Sequence, residues 1–115
     1  MSYLVEHVYN GHDNPVALQL TRRGSLVPLD GVTRITVTVG ETTIDSDTEP
    51  TAILWAQPGY AVAEVRLFFG MLDLPVGEHG SWLVIYDTEH PNGLVWRAFV
   101  IEVHDEVGVP PVPAP

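Results

Sequence analysis

The fold is decided by residues 61–103, which read AVAEVRLFFG MLDLPVGEHG SWLVIYDTEH PNGLVWRAFV IEV. Three apolar runs, each about as long as a strand, are separated by two joints rich in turn-forming residues. In the first run, apolar residues occupy every second position: Ala63, Val65, Leu67 and Phe69. This period of two is typical of a strand with one buried face. The stretch therefore predicts a three-stranded meander that holds the core.

The second run, Ser81–Asp87, is apolar on both of its faces. Trp82, Val84 and Tyr86 would lie on one face of the strand, and Leu83 and Ile85 on the other. Such a run favours a central strand that is covered on both sides, by a second sheet or by a neighbouring subunit. The preceding Gly77–Gly80 is interpreted as a strand connector.

The third run follows Asn92-Gly93, a dipeptide that is a strong signal for a two-residue hairpin. Both residue types tolerate positive φ, which a type I′ turn requires. A strand is predicted over Leu94–Val103, but its alternation would point Arg97 inward. Three alternatives are open: a bulge shifts the register near Arg97, the guanidinium is paired inside, or it reaches a partner.

The rest of the chain also predicts short strands and turns. Val16–Thr21 and Thr33–Val39 alternate apolar and polar residues, as half-buried strands do. A tight turn is predicted at Arg22–Ser25, and Gly40 is expected to turn the chain into a short polar strand at Glu41–Ser46.

These elements predict an all-β protein, an immunoglobulin-like antiparallel β-sandwich of about seven or eight strands. We expect three parts: an N-terminal arm or edge strand over residues 1–13, the sandwich domain over residues 14–106, and an extended proline-rich tail over residues 107–115. Four prolines lie in the last eight residues, and such a segment favours the polyproline II conformation.

Composition limits the function. The chain has 115 residues and a formal net charge of −10, with five Arg, no Lys and no Cys. An acidic domain repels phosphate backbones, so neither nucleic acid nor an anionic membrane is expected as a partner. No apolar run approaches the roughly 18 residues that a membrane span needs, and the N-terminus lacks the pattern of a signal peptide. We therefore expect a protein that stays in the cytoplasm or acts in an assembly built there.

Two residue groups are candidates for metal binding. Asp45, Asp47 and Glu49 carry carboxylates at alternate positions, as the start of a calcium loop does. No glycine follows at the sharp turn and no acid closes the loop, so an acidic solvated turn is the simpler reading. Among the five histidines, His7 and His12 could meet Asp13, but surface and turn histidines explain all five. No metal and no cofactor are expected.

No enzymatic motif is present in the sequence. There is no Gly-x-Ser-x-Gly elbow, and Gly77–Gly80 lacks the Lys and the following helix of a phosphate-binding loop. We expect a protein without enzymatic activity.

Candidate interface residues are polar or aromatic side chains in turns, together with the two chain ends. Arg is favoured at interfaces because its planar fork binds carboxylates, and exposed aromatic residues anchor partners or stack on sugars. The candidates are Tyr3, Leu4, Val5, Arg22, Arg23, Trp55, Tyr60, Arg97, Val109, Pro110 and Pro111.

The order of elements resembles a known family. VALQLTRRGSLVPLDGVTRITVTV, residues 16–39, and VAEVRLFFGMLDLPVGEHGSWLVIYDTEHPNGLVWRAFVIEV, residues 62–103, carry the pattern. It is similar to the immunoglobulin-like domain at the N-terminus of phage baseplate upper proteins and to related tail or fibre attachment domains. Members usually have a Tyr or Phe near the position of Gly80–Ser81, where this chain has Trp82.

The resemblance, which spans Asn14–Val103, implies a structural protein of a tailed-phage virion, in the tail or baseplate. Its partners would be copies of itself and other virion proteins. Two alternatives are a capsid decoration protein and a carbohydrate-binding module that uses Trp55 and Tyr60 for host attachment.

Overall fold

A computed structural model describes residues 5–13, 15–96 and 99–105. This part of the chain is all-β, as predicted, and its only helical element is a single 3₁₀ turn at Gly70–Leu72. The predicted count of seven or eight strands is not confirmed, since the described residues form eleven strands, three of which have two residues. The strands are β1 Val5–Asn10, β2 Val16–Gln19, β3 Thr21–Arg22, β4 Ser25–Leu26, β5 Val32–Val39, β6 Thr42–Asp45, β7 Ile53–Trp55, β8 Glu64–Leu67, β9 Gly77–Asp87, β10 Leu94–Val95 and β11 Phe99–Asp105.

The strands form a large sheet, a small sheet and a hairpin. The large sheet has the order β1-β11-β9-β5-β6 with β10 also paired to β9, the small sheet has the order β2-β8-β7, and β3 pairs with β4. One hydrophobic cluster contains residues of both sheets, an arrangement consistent with a β-sandwich. The prediction of an antiparallel sandwich was wrong for one strand pair, since β1 runs parallel to β11. The predicted three-stranded meander over residues 61–103 was also wrong, because β8 lies in the small sheet and β9, β10 and β11 lie in the large one.

The predicted alternation is confirmed on both sides of the core. Val16, Leu18 and Leu20 are buried, and so is every second residue from Ala63 to Phe69. On β5, the side chains of Ile35 and its alternate neighbours Val37 and Val39 also enter the core. Because a strand turns successive side chains to opposite faces, the apolar period alone determines which face each strand buries.

Strand β9 is central, as its apolar run predicted, with β5 on one side and β11 and β10 on the other. The interpretation of Gly77–Gly80 as a connector was wrong, since these residues are the first part of β9. Their backbone pairs with β11 at Gly80↔Val100 and Glu78↔Glu102. A neighbouring strand that supplies pairing partners therefore extends β9 through the two glycines.

The antiparallel pairing of β9 and β10 on either side of Asn92-Gly93 is confirmed, but the two-residue turn predicted there was wrong. The nearest β9–β10 pair is Ile85↔Leu94, so the connection is eight residues long, and of the two turn residues only Gly93 has positive φ. The Asp87 carboxylate accepts bonds from the backbone N–H groups of Glu89 and His90, and this side chain starts the turn earlier.

The tight turn predicted at Arg22–Ser25 is confirmed. Arg23 and Gly24 both have positive φ, at 54° and 81°, and they join β3 to β4 as a two-residue loop. The two-residue turn with both central residues at positive φ, expected at residues 92–93, is therefore found here.

The register in which β9 pairs with β10 differs by one residue from the register in which it pairs with β11, and Arg97 lies in the segment between β10 and β11. Four positions separate Val95 from Phe99, whereas three separate their partners Val84 and Ser81. This change is what the bulge alternative predicts. Arg97 itself lies outside the described residues.

Strand β1 is held at its end by a close backbone approach. The N–H of Gly11 donates to the carbonyl of Gly70 over 2.8 Å. A Cβ on Gly70 would lie 1.8 Å from the carbonyl oxygen of His12 and 2.8 Å from that of Tyr9. Only glycine allows the 3₁₀ turn to approach the end of β1 so closely.

Within the described ranges, no helix is long and apolar enough to cross a membrane.

Candidate contact surface

The outer face of the large sheet carries apolar side chains on its central strand. Leu83 and Ile85 of β9 point into the core, whereas Trp82, Val84 and Tyr86 point to the other face. Trp82 is 43% exposed, and the described residues do not bury it. Of the two covers predicted for β9, the small sheet therefore supplies the inner one, and among residues 5–13, 15–96 and 99–105 no element covers the outer face.

A neighbouring strand enlarges this apolar surface. Val95 of β10 pairs with Val84 and is 71% exposed. Gly93 packs closely beside them, because a Cβ there would lie 2.4 Å from Val84 Cγ1 and 2.9 Å from Tyr86 Cε2. We call Trp82, Val84, Tyr86 and Val95 the outer-face strip. It lies on paired strands, so its side chains are presented on a rigid backbone.

A charged pair borders the strip. The Arg34 guanidinium lies 4.7 Å from the centre of the Tyr86 ring, and its Nε and Nη2 donate to Asp45 Oδ1 and Oδ2 over 3.1 and 2.6 Å. This two-point hydrogen bond lowers the pKa of Asp45 and raises the pKa of Arg34. The pair fixes the polar edge of the strip.

The same contacts bear on the calcium candidates. Both carboxylate oxygens of Asp45 are used by Arg34, and Asp45 Oδ1 also accepts the N–H of Asp47. Asp47 Oδ2 lies 3.7 Å from Arg34 Nε, and Glu49 is exposed. The geometry is that of an acidic turn tied to an arginine.

The structure brings together a different set of metal-binding side chains. His7 on β1 lies beside Glu102 and His104 on β11, and within the described residues this is the one group of three ligands that could hold an ion. His12 and Asp13, which the sequence suggested as neighbours of His7, are not part of this group. The backbone N–H of His12 donates to the backbone carbonyl of Tyr9 in the turn that follows β1. Sequence reasoning missed the group because it depends on the parallel β1–β11 pair. The alternate spacing of Glu102 and His104 on one strand face was its only signal.

The candidate arginines of the β3–β4 hairpin are exposed at its tip. Arg22 also lines a groove of about 240 Å³ together with Val27, Leu94 and Val95. Trp96 forms part of the same groove and donates its indole N–H to the carbonyl of Thr21 over 3.2 Å. The groove lies next to the outer-face strip, because Val95 belongs to both.

Trp55 and Tyr60 have separate surroundings. Trp55 is half-buried, donates its indole N–H to the carbonyl of Val32, and lines a cleft of about 350 Å³ that does not include Tyr60. The guanidinium of Arg66 lies 4.1 Å from the centre of the Tyr60 ring and is paired with Glu64. One face of the tyrosine ring is therefore already covered.

The remaining candidates are divided between the edge of the sheet and the chain ends. Val5 begins β1 and is 44% exposed. Tyr3, Leu4, Val109, Pro110 and Pro111 lie outside the described residues, as Arg97 does.

A scan against protein-family models and a search of curated proteins found no match for the chain. The fold and surface define an all-β protein with several sheets and an exposed apolar strip on its central strand.

Proposed function

We propose that this chain is a non-enzymatic structural protein that binds other proteins through its outer-face strip. Following the resemblance of residues 16–39 and 62–103, we place it in a tailed-phage virion, in the tail or baseplate, with an immunoglobulin-like topology. It would be assembled in the host cytoplasm, and its partners would be copies of itself in a symmetric ring and other virion proteins.

The observation that carries the proposal is the exposure of Trp82 on the central strand. A tryptophan offers a large apolar area with little loss of side-chain entropy, and aromatic residues are enriched at the centres of interfaces. Val84 and Val95 beside it add apolar area, while Arg34 and Asp45 form a polar border. An apolar centre with a polar rim is the usual arrangement of a protein contact surface.

Charge supports the choice of partner. The net charge of −10 disfavours nucleic acid and anionic membranes, and it favours partners that present basic or apolar surfaces. Arg22 and Arg23 are exposed on this acidic chain and suit a second contact with an acidic neighbour. Residues 5–10 form the edge strand β1, whose outer edge offers a place for strand addition by a neighbour, and the proline-rich segment 107–115 would dock in an aromatic groove.

Sedimentation velocity of the purified protein over a range of concentrations tests the proposal. We expect reversible self-association that is weakened in Val95→Ser. The matched control is Val62→Ser, since Val62 is 64% exposed but lies in the loop before β8. A protein that stays monomeric at every concentration, or one in which both substitutions have equal effects, would contradict the proposal.

The location in the particle has its own test. Labelled protein added to phage particles that lack it should bind tails if it is a tail or baseplate protein. Binding to heads alone would favour the alternative of a capsid decoration protein.

The cleft beside Trp55 favours a second candidate, a carbohydrate-binding module. Thr33, Asp47 and Gln57 line it with polar groups next to the indole, and such a combination suits a sugar. Binding on a glycan array that is lost in Trp55→Ala would support this function, whereas Val95→Ser should leave it intact.

A further inference from the structure

We propose that His7, Glu102 and His104 form a binding site for a divalent transition-metal ion of the Zn²⁺ type. The site joins β1, near the start of the chain, to β11, the last strand of the part that the structure describes. The site shares the outer face of the large sheet with the outer-face strip, but its residues lie on β1 and β11 and not on β9 and β10.

The β1–β11 register brings the three ligands together. His7 pairs with Glu102, and Tyr9 pairs with His104, so all four side chains share one face of the parallel pair. Glu102 and His104 are two residues apart on one strand and therefore point to the same side. The ligands stand on two paired strands and not on loops, an arrangement that holds a metal site more firmly.

The distances between the ligand atoms fit a small tetrahedral ion. His7 Nδ1 lies 3.0 Å from His104 Nε2 and 3.1 Å from Glu102 Oε1, and His104 Nε2 lies 3.4 Å from the same oxygen. Zinc bonds of 2.0–2.1 Å place neighbouring tetrahedral ligand atoms about 3.3 Å apart. The three atoms thus form a triangle of the size of one face of a zinc tetrahedron.

The donor types select the class of metal. Two imidazoles and one carboxylate suit Zn²⁺ and related first-row ions, whereas Ca²⁺ and Mg²⁺ prefer oxygen ligands alone. The three side chains are between 31% and 46% exposed, so an ion can reach them from solvent. A fourth ligand would be a water molecule or a donor from another molecule, as in zinc sites with three protein ligands.

Tyr9 supports the position of one ligand. Its ring lies 4.9 Å from the centre of the His104 ring, with the two planes 17° apart. This stacking restricts the rotation of His104 and keeps its Nε2 directed towards His7. Without a metal, the two histidines share an N–H···N hydrogen bond, and this is the arrangement that an ion has to replace.

Titration calorimetry with ZnCl₂ and the full-length protein tests the site. We expect one ion per chain, and His7→Gln and His104→Gln should each weaken binding by more than the roughly 10- to 100-fold that loss of an outer-shell partner costs. His79→Gln is the matched control, because His79 lies outside the cluster and contacts the carbonyl of Pro75. Its affinity for zinc should equal that of the unchanged protein.

A second measurement reports on the strands directly. Zinc should slow amide hydrogen exchange in β1, since the ion would join this edge strand to β11. The effect should vanish in the double variant of His7→Gln and His104→Gln. The proposal is overturned if the unchanged protein binds zinc no more tightly than this double variant, or if His79→Gln loses as much affinity.

Discussion

Replacement of Trp82 by threonine should separate association from folding. Threonine is β-branched and keeps the strand propensity of the site, so the substitution removes mainly the indole. Trp82 exposes 43% of its surface, which corresponds to about 100 Å² for a side chain of this size. Burial of that area in an interface contributes about 2.5 kcal/mol per copy at 25 cal/mol per Å².

The expected effect on association follows from this area. Because 1.4 kcal/mol changes an affinity tenfold and part of the gain is offset by ordering, Trp82→Thr should raise the Kd for self-association about 10- to 100-fold. The free energy of unfolding of the monomer should fall by about 1–2 kcal/mol, because the part of the indole that is already covered in the monomer is lost as well.

Sedimentation equilibrium gives the Kd, and urea unfolding at low protein concentration gives the stability. Trp82→Phe serves as the control, since it keeps much of the apolar area and should restore most of the affinity. An unchanged Kd in Trp82→Thr would refute the role of the strip. A loss of 3 kcal/mol or more in unfolding would show instead that Trp82 belongs to the core, since core truncations of aromatic residues cost about that much.

Two further predictions concern stability. Gly70→Ala should lower the free energy of unfolding by about 1–3 kcal/mol in urea, because its Cβ would collide with the carbonyl of His12, whereas Gly31→Ala, with no atom near its Cβ, should change it little. Asp45→Asn should destabilise the protein at neutral pH, since Arg34 lowers the pKa of Asp45 and this contribution is fully present above the pKa of about 3.9 in the unfolded chain. The difference between Asp45→Asn and the unchanged protein should shrink as the pH falls through the lowered pKa, and a difference that is constant from pH 7 to pH 2 would contradict this cause.

Local patterns predicted the faces of the strands well. The apolar period of Val16–Leu20 and of Ala63–Phe69 identified their buried residues, because a strand has only two faces and burial selects one. The apolar run of Ser81–Asp87 indicated a central strand because both of its faces are apolar, and its outward face contributes Trp82, Val84 and Tyr86 to the outer-face strip.

Long-range pairing was not visible in the sequence. Gly77–Gly80 has the composition of a turn, but pairing with β11 extends β9 through it. The dipeptide Asn92-Gly93 favours a hairpin locally, yet hydrogen bonds to the Asp87 carboxylate start the turn five residues earlier. Tertiary partners override local preference in both places.

The cluster of His7, Glu102 and His104 also depends on long-range pairing that the sequence does not reveal. His7 is 97 positions away from His104 in sequence, and only the parallel pairing of the first and last strands makes them neighbours. A parallel pair of this kind leaves no local signature, because its register depends on strands that are far apart in the chain.

The central claim is that the outer face of β9 is buried when the protein assembles. Hydroxyl-radical footprinting, read by mass spectrometry at dilute and at assembling concentrations, tests it directly. Trp82 should become protected as the concentration rises, while Met71, which is 70% exposed on the 3₁₀ turn, should stay equally reactive. Unchanged oxidation of Trp82 in the assembled protein, or protection of Met71 in its place, would contradict the account.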